Sequence, residues 1–256
     1  SQFGETEDTI WLAPASHLQE PEAVATVAHT PFWGVSASLS PDGQQIAYVV
    51  LPPTVPNPEQ GADDQAEVWV QPLAGGEPRL LAQNADVRVA PIWSPDGGIL
   101  VFQSFDRQRN VPTLFRVNIG DGIVSVLASL GGTTAAFALA FASSSDRFYV
   151  AQTSEGGTDL LAINISDGSV QTIATIAGGI ARDWQLSPDG RRMAFVNQAA
   201  GGEWELWVLD LEDGSVLRLE AEDLPTDRQL FSPVWRPVQE LITLGMAPGD
   251  DGNGVF

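Results

Sequence analysis

The chain of 256 residues contains neither cysteine nor lysine, and all twelve of its cationic side chains are arginine. The lack of cysteine excludes disulfide bonds and thiol chemistry, and the lack of lysine excludes Schiff-base mechanisms. Acidic residues number 33, which gives a formal net charge of −21. Nucleic acids and anionic membranes are bound through basic patches, so we predict neither as a partner. No apolar run approaches the roughly eighteen residues that a membrane span needs, so we expect no membrane insertion within this chain.

The tetrapeptide Ser-Pro-Asp-Gly occurs three times, beginning at Ser40, Ser94 and Ser187. Proline presets φ, aspartate bonds its own backbone and glycine accepts positive φ, so each copy predicts a tight turn between antiparallel strands. Apolar residues alternate with polar ones after each turn, which is typical of a half-buried strand. Two degenerate copies keep this spacing but replace the turn, and they span 143–146 and 236–239.

The residue before each turn marks an internal repeat. These five apolar residues lie 54, 48, 45 and 49 residues apart, and they are Leu39, Trp93, Phe141, Leu186 and Trp235. A spacing of about 40 to 50 residues is that of one four-stranded propeller blade. In three repeats a later Asp-Gly pair predicts the hairpin between the third and fourth strands, at Gly122, Gly168 and Gly214.

The two ends of the chain complete the count of blades. Trp11 aligns with Trp69 and Pro14 with Pro72, so the chain begins with a third and a fourth strand and ends with a first and a second. We therefore predict an all-β, five-bladed β-propeller of four-stranded antiparallel blades, closed by a composite blade from the N- and C-terminal strands. The alternative is a fragment of a propeller with six or more blades, because Val255-Phe256 resembles the opening of another third strand.

The repeat predicts one domain over residues 1–256, with 1–7 as a tether that could follow an upstream signal or anchor. The predicted blades cover about 36–82, 90–128, 137–174 and 181–220, and the composite blade joins 8–27 with 230–246. We expect a monomer.

The Ser-Pro-Asp-Gly turn, the apolar residue before it and the later Asp-Gly hairpin resemble the WD-repeat-like propeller repeat of TolB-type proteins. That repeat also builds the propeller domains of prolyl-oligopeptidase-type enzymes, and the likeness covers about residues 8–246. The resemblance implies a bacterial, extracytoplasmic protein that is periplasmic, secreted or surface-anchored. Family members act as scaffolds, as substrate gates on peptidases, and as lyases or hydrolases, so the resemblance leaves the activity open.

Propellers bind ligands where the loops entering the innermost strands converge. The candidate ligand-binding residues in these loops are Trp33, Arg88, Arg182, Asp183 and Arg228. Three arginines at related positions would form a positive mouth able to hold a carboxylate by paired hydrogen bonds. The alternative is that they form structural ion pairs with neighbouring aspartates at 86, 183 and 227.

No catalytic, metal or cofactor motif is predicted. The Gly-x-Ser-x-Gly pentapeptide is absent. The acidic loop at 250–253 lacks the spacing of an EF-hand and reads as a turn, and neither His17 nor His29 has a second histidine at zinc-ligand spacing. Trp204 is a candidate for an exposed contact. The proline-rich insertion at 51–64 is either a partner-binding arm or a tolerated surface loop.

Three functions remain open from the sequence. The first is a non-enzymatic interaction propeller for a protein, peptide or glycan, and this is the reading that the lack of catalytic motifs favours. The second is a glycan-active, five-bladed hydrolase or lyase with acidic and aromatic residues around the central channel. The third is a gating propeller cut from a longer peptidase.

Overall fold

A computed structural model describes residues 6–14, 20–131, 135–178, 181–198, 202–219, 228–236 and 242–248. It forms two compact units, Ser1–Thr134 and Ala135–Phe256, and each is described by itself.

The first unit holds a two-stranded hairpin followed by two four-stranded antiparallel sheets. The hairpin is β1 (Glu7–Leu12) with β2 (Glu22–Ala28). The first sheet comprises β3 (Ser36–Leu39), β4 (Gln45–Val50), β5 (Ala66–Pro72) and β6 (Arg79–Ala85), with the short helix α1 (Pro58–Gly61) between β4 and β5. The second sheet comprises β7 (Ile92–Trp93), β8 (Ile99–Asp106), β9 (Val111–Asn118) and β10 (Val124–Ser129).

The second unit reverses this order, with two four-stranded antiparallel sheets before a hairpin. The third sheet comprises β11 (Ala136–Phe141), β12 (Arg147–Ser154), β13 (Gly157–Asn164) and β14 (Val170–Ala177). The fourth comprises β15 (Ala181–Leu186), β16 (Arg192–Gln198), β17 (Trp204–Asp210) and β18 (Val216–Arg218). The hairpin is β19 (Arg228–Trp235) with β20 (Ile242–Pro248).

The sheets confirm the predicted all-β fold of consecutive four-stranded antiparallel units, in which each strand pairs with its neighbour in the chain. Each hairpin supplies two strands, which is half the number in a complete unit. Their positions at the two ends of the chain are those predicted for the fifth blade. The single-domain arrangement and the tether at residues 1–7 stay predictions.

The three Ser-Pro-Asp-Gly turns share one hydrogen-bond pattern. In the first, the Ser40 hydroxyl donates to Asp42 Oδ1 at 2.6 Å and accepts from the amide of Gln45 at 2.9 Å. The amide of Gln44 donates to the same carboxylate, and Gly43 takes the predicted positive φ of 68°. The serine hydrogen bond, followed by the backbone one, lowers the pKa of Asp42, and the equivalent aspartates behave alike. The carboxylates of these aspartates are therefore used in hydrogen bonds within the turn.

Tryptophans before the turns tie neighbouring sheets together within each unit. Trp93 Nε1 donates to the Ser38 carbonyl at 3.3 Å, and Trp235 Nε1 donates to the Gln185 carbonyl at 2.9 Å. Each acceptor is the residue before the equivalent apolar position of the preceding repeat. The repeat therefore fixes contacts between sheets as well as the turns within them.

Candidate functional site

The loop between β2 and β3 is held at both ends by buried polar contacts. The amide of Val35 donates to Asp8 Oδ2 at 3.0 Å, and this carboxylate is fully buried. Nδ1 of the buried His29 donates to the Thr30 carbonyl at 2.8 Å, so Nδ1 carries a hydrogen. The other ring nitrogen of His29 lies 3.3 Å from Asp8 Oδ1. One carboxylate in β1 therefore contacts both the start and the end of the loop.

Thr30 joins this loop to the beginning of the proline-rich insertion. Its amide donates to the Leu51 carbonyl at 2.9 Å, and its hydroxyl donates to the Pro52 carbonyl at 2.7 Å. Thr30 is 2 % exposed, and buried hydrogen bonds of this kind specify a single geometry. The loop is therefore a fixed element of the first unit.

Phe32 stands at the tip of this fixed loop and is fully exposed to solvent. The amide of Trp33 donates to the Thr30 carbonyl at 3.1 Å, with Pro31 at the second position of the turn and Phe32 at the third, where φ is +70°. These are the features of a type II turn, whose third position usually carries glycine. A side chain in that conformation costs on the order of 1 kcal/mol.

The sequence identified Trp33 in this turn, whereas Phe32 is the residue that projects. Trp33 is partly buried and packs on the apolar cluster that contains Leu51 and Val87. Pro31 was the available signal for the turn, because proline favours the second position. Which residue of the turn is exposed can be determined only from the backbone geometry.

Arg88 follows β6 and is bound by its own neighbour. Its Nε and Nη2 atoms donate to the two carboxylate oxygens of Asp86 at 2.8 and 2.7 Å, and its amide donates to Oδ1 at 2.9 Å. This hydrogen bonding raises the pKa of Arg88. The Asp86 side chain is 5 % exposed and that of Arg88 is 55 % exposed. The arrangement is the structural ion pair that we considered as the alternative.

The proline-rich insertion ends against the second sheet. The Ala62 carbonyl accepts from the amide of Val87 at 2.8 Å, and the Asp63 carbonyl accepts from the amide of Phe105 at 3.0 Å. Arg107 donates to the Asp63 carboxylate at 2.6 Å and also to the carboxylate of Asp64. This end of the insertion is therefore part of the packed unit, while its exposed residues lie between 53 and 60.

Arg182 in β15 is held by three groups of the second unit. It donates to the Asp183 carboxylate at 2.5 Å and to the Leu230 carbonyl at 3.0 Å, and its guanidinium lies 4.1 Å from the centre of the Trp204 ring. Asp183 has a φ of +57° and also accepts from the amide of Ser232 at 3.0 Å. Trp204, predicted as a possible exposed contact, is thus half-buried and stacked on a cation.

The structure brings Arg182 and Asp183 together, while Trp33 and Arg88 lie in the other unit. Arg228 begins β19 opposite Pro248, and its side chain lies outside the described residues. His17, Asp227 and the acidic loop at 250–253 also lie outside them.

Neither a metal site nor a membrane-spanning helix is present among the described residues. The described part of the chain has no group of three or more histidine, aspartate or glutamate residues placed to hold a metal ion. No helix in the described ranges is long and apolar enough to span a membrane.

Comparisons with known proteins place the fold. No family model matches the chain. The Tol-Pal system protein TolB of Acinetobacter baylyi is 24% identical over 128 residues, which are 50% of this chain and 28% of that protein. TolB from Acinetobacter baumannii has a TM-score of 0.61 at 20% identity, over 90% of this chain and 51% of that one.

A propeller of known structure gives a third comparison. The β-propeller domain of the Trilobed protease from Pyrococcus furiosus has a TM-score of 0.54 at 15% identity, over 85% of this chain and 70% of that one. The chain thus spans about half the length of the solved TolB and 28% of the curated one. Likeness at this level of identity shows the fold. The predicted fold class and the resemblance are confirmed, and the chain has a β-propeller fold similar to that of TolB.

Proposed function

We propose that the chain is a non-enzymatic interaction propeller that binds a protein or peptide partner outside the cytoplasm. The observation that carries the proposal is Phe32, which is fully exposed at the tip of a turn fixed by buried hydrogen bonds. The sequence likeness to a protein of the Tol-Pal system supports a role among protein partners. The resemblance to TolB-type repeats supports the extracytoplasmic location.

The energetics of Phe32 suit a binding anchor. A phenylalanine side chain that becomes covered buries about 150 Å² or more, and aromatic anchors of this kind contribute 2 kcal/mol or more to protein interfaces. Binding through a flexible loop would lose part of this gain to ordering. Here the buried contacts of Asp8, His29 and Thr30 have ordered the loop in advance. Strain at a positive φ is typical of such functional positions.

The charge of the chain favours a cationic partner. A net charge of −21 attracts basic proteins over several ångströms and speeds their association, an effect that salt weakens. We therefore expect a partner with an apolar pocket for Phe32 and a basic rim around it.

Site-specific photo-crosslinking tests this function. The photoreactive amino acid benzoylphenylalanine would replace Phe32, and in a control it would replace Val126, which is 57% exposed on β10. Both proteins would be irradiated in an envelope extract of the source cells. We expect one protein to be crosslinked from position 32 and not from position 126. The same species from both positions would contradict the proposal.

Competition with a glycine variant separates binding from folding. Phe32→Gly removes the ring and suits the positive φ, so this variant keeps the fold. Unlabelled wild-type protein should suppress the crosslink, and Phe32→Gly should not. Equal suppression by both proteins would rule out Phe32 as the anchor. Fractionation of the source cells checks the location, and recovery in the cytoplasm would contradict that part.

A further inference from the structure

A pocket of about 550 Å³ lies in the second unit. Three of the twelve arginines line it, together with one tyrosine and two acidic residues: Arg147, Arg191, Arg192, Tyr149, Asp210 and Glu212. A volume of about 300 to 1,000 Å³ is usual for small-molecule sites. A concentration of cations is notable on a chain with a net charge of −21.

The turn that carries Arg191 docks tightly on the preceding sheet. A Cβ atom on Gly190 would lie 2.7 Å from the Ser143 hydroxyl and would push it aside, and the φ of +71° also favours glycine at this position. The contact places Arg191 beside the start of β12, where Arg147 lies. The arginines are therefore brought together by the close packing of two turns.

Two of these arginines form no ion pair with any described residue. Within the described ranges, neither Arg147 nor Arg191 pairs with a carboxylate. Other arginines of the chain do so at 2.5 to 2.8 Å, and these are Arg88, Arg107, Arg182 and Arg218. An unpaired guanidinium offers its fork of N–H donors to a ligand anion.

The internal repeat shows that the fold does not require these residues. The second strand of each sheet begins at an equivalent position, which is glutamine in the first, isoleucine in the second and arginine in the third and fourth: Gln45, Ile99, Arg147 and Arg192. Two residues later, Tyr149 stands where the other sheets have alanine or valine: Ala47, Val101 and Ala194. The residues that differ from the other repeats at these two positions therefore line the same pocket.

Tyr149 supplies a neutral donor to this pocket. Its ring is 5% exposed and packs on the apolar cluster that contains Met193 and Leu209. Burial raises the pKa of Tyr149, so its hydroxyl stays protonated at neutral pH. A phenol beside guanidinium groups can donate to the same anion.

We propose that this pocket binds a small organic acid. Arg147 and Arg191 hold its carboxylate by charge-assisted hydrogen bonds, with Tyr149 as a further donor. Asp210 and Glu212 line the same pocket and select a ligand that carries a hydroxyl or another donor group. The site is independent of partner binding through Phe32.

Citrate, a hydroxy acid with three carboxylates, is a suitable probe. Binding would be followed by calorimetry and by backbone amide NMR shifts in a series held at constant ionic strength with sodium chloride. We expect saturable binding with one site, and shifts that cluster around the pocket. Linear, unsaturable shifts would overturn the proposal. Inorganic phosphate is the comparison anion, and tighter binding of phosphate than of citrate would overturn the organic-acid assignment.

Variants locate the site. Arg147→Gln and Arg191→Gln should each weaken citrate binding about tenfold, because a hydrogen bond to a charged group contributes about 1.5 kcal/mol. Tyr149→Phe keeps the ring and should weaken binding by less. Arg109→Gln removes the same charge from a side chain that is 73% exposed in the other unit, and it should leave binding unchanged. Equal losses in Arg109→Gln and Arg147→Gln would show charge screening alone and overturn the site.

Discussion

The arginines near the first strand of a sheet, Arg88 and Arg182, differ from those that follow the turn between the first and second strands, Arg147 and Arg191. Arg88 and Arg182 are held at 2.5 to 2.8 Å by carboxylates next to them in the chain. Arg147 and Arg191 have no such partner among the described residues, and they line a pocket. The same residue type therefore stabilises local structure in one region and remains available to a ligand in the other.

The burial of Asp86 explains why it pairs with Arg88. Asp86 is 5% exposed, and a buried carboxylate needs a cation and hydrogen-bond donors. The turn aspartate Asp189 is exposed and is already satisfied by the Ser187 hydroxyl and the Arg191 amide. Asp189 therefore does not need an ion pair with a nearby guanidinium group. Arg88 is thus held by a buried acid and Arg182 by the partly buried Asp183, whereas no described carboxylate pairs with Arg147 or Arg191.

The largest effect should come from Asp86→Asn, which tests whether the loop pair is structural. The substitution removes the charge from a buried acceptor of three hydrogen bonds, and we expect a loss of about 2 kcal/mol in the free energy of unfolding. Urea denaturation measures it. Glu77→Gln, on an exposed residue after β5, is the matched control and should change stability little. A similar loss in both variants would remove the distinction between the two regions.

Ser187→Ala should have a smaller and pH-dependent effect. The Ser187 hydrogen bond is the main cause of the lowered pKa of Asp189, ahead of the Arg191 amide and the two arginine charges. A pKa lowered in the folded state adds stability above the ordinary value of 3.8, and this stability is lost as the pH falls through the folded pKa. Wild type should therefore exceed the variant by about 1 kcal/mol at neutral pH and by less at about pH 3.

NMR titration of Asp189 adds a finer comparison. Its pKa should rise more in Ser187→Ala than in Arg191→Gln, because the arginine charges are the smaller cause. A larger rise in Arg191→Gln would mean that this arginine is paired to the turn after all.

Arg147→Gln should have the smallest effect on stability. Since no described carboxylate pairs with Arg147, we expect a change below about 0.5 kcal/mol in urea denaturation. Arg182→Gln, which loses an ion pair, a carbonyl contact and the Trp204 ring, should cost about 1 kcal/mol under the same conditions. Equal costs would indicate that both arginines are structural.

The repeat was predictable because its signals are local. Serine, proline, aspartate and glycine in sequence encode a turn through their own side chains and backbone preferences, and the structure repeats the expected hydrogen bonds at each copy. Period-two alternation then identifies the strands on either side. The copies that lack the turn could be aligned only because the spacing had been set by those that have it.

The contacts of the candidate residues were not predictable in the same way. Arg182 meets Leu230 and Trp204, which are distant in the chain, and a shift of strand register between Arg182 and Gln185 sets its direction. Asp183 takes a positive φ that its residue type does not require. Whether a side chain is free to bind a ligand depends on such backbone irregularities, and the pattern of residue types does not predict them.

The carboxylate of Asp8 has a consequence for how the Phe32 loop responds to the rest of the chain. Asp8 lies in β1, and it accepts a hydrogen bond from the Val35 amide at the end of that loop. A force or partner that drew β1 away would remove this contact, whereas the Thr30 hydrogen bonds to Leu51 and Pro52 would still hold the start of the loop. The first strand thus supports the end of the Phe32 loop, and its release would loosen that end while the turn stays attached through Thr30.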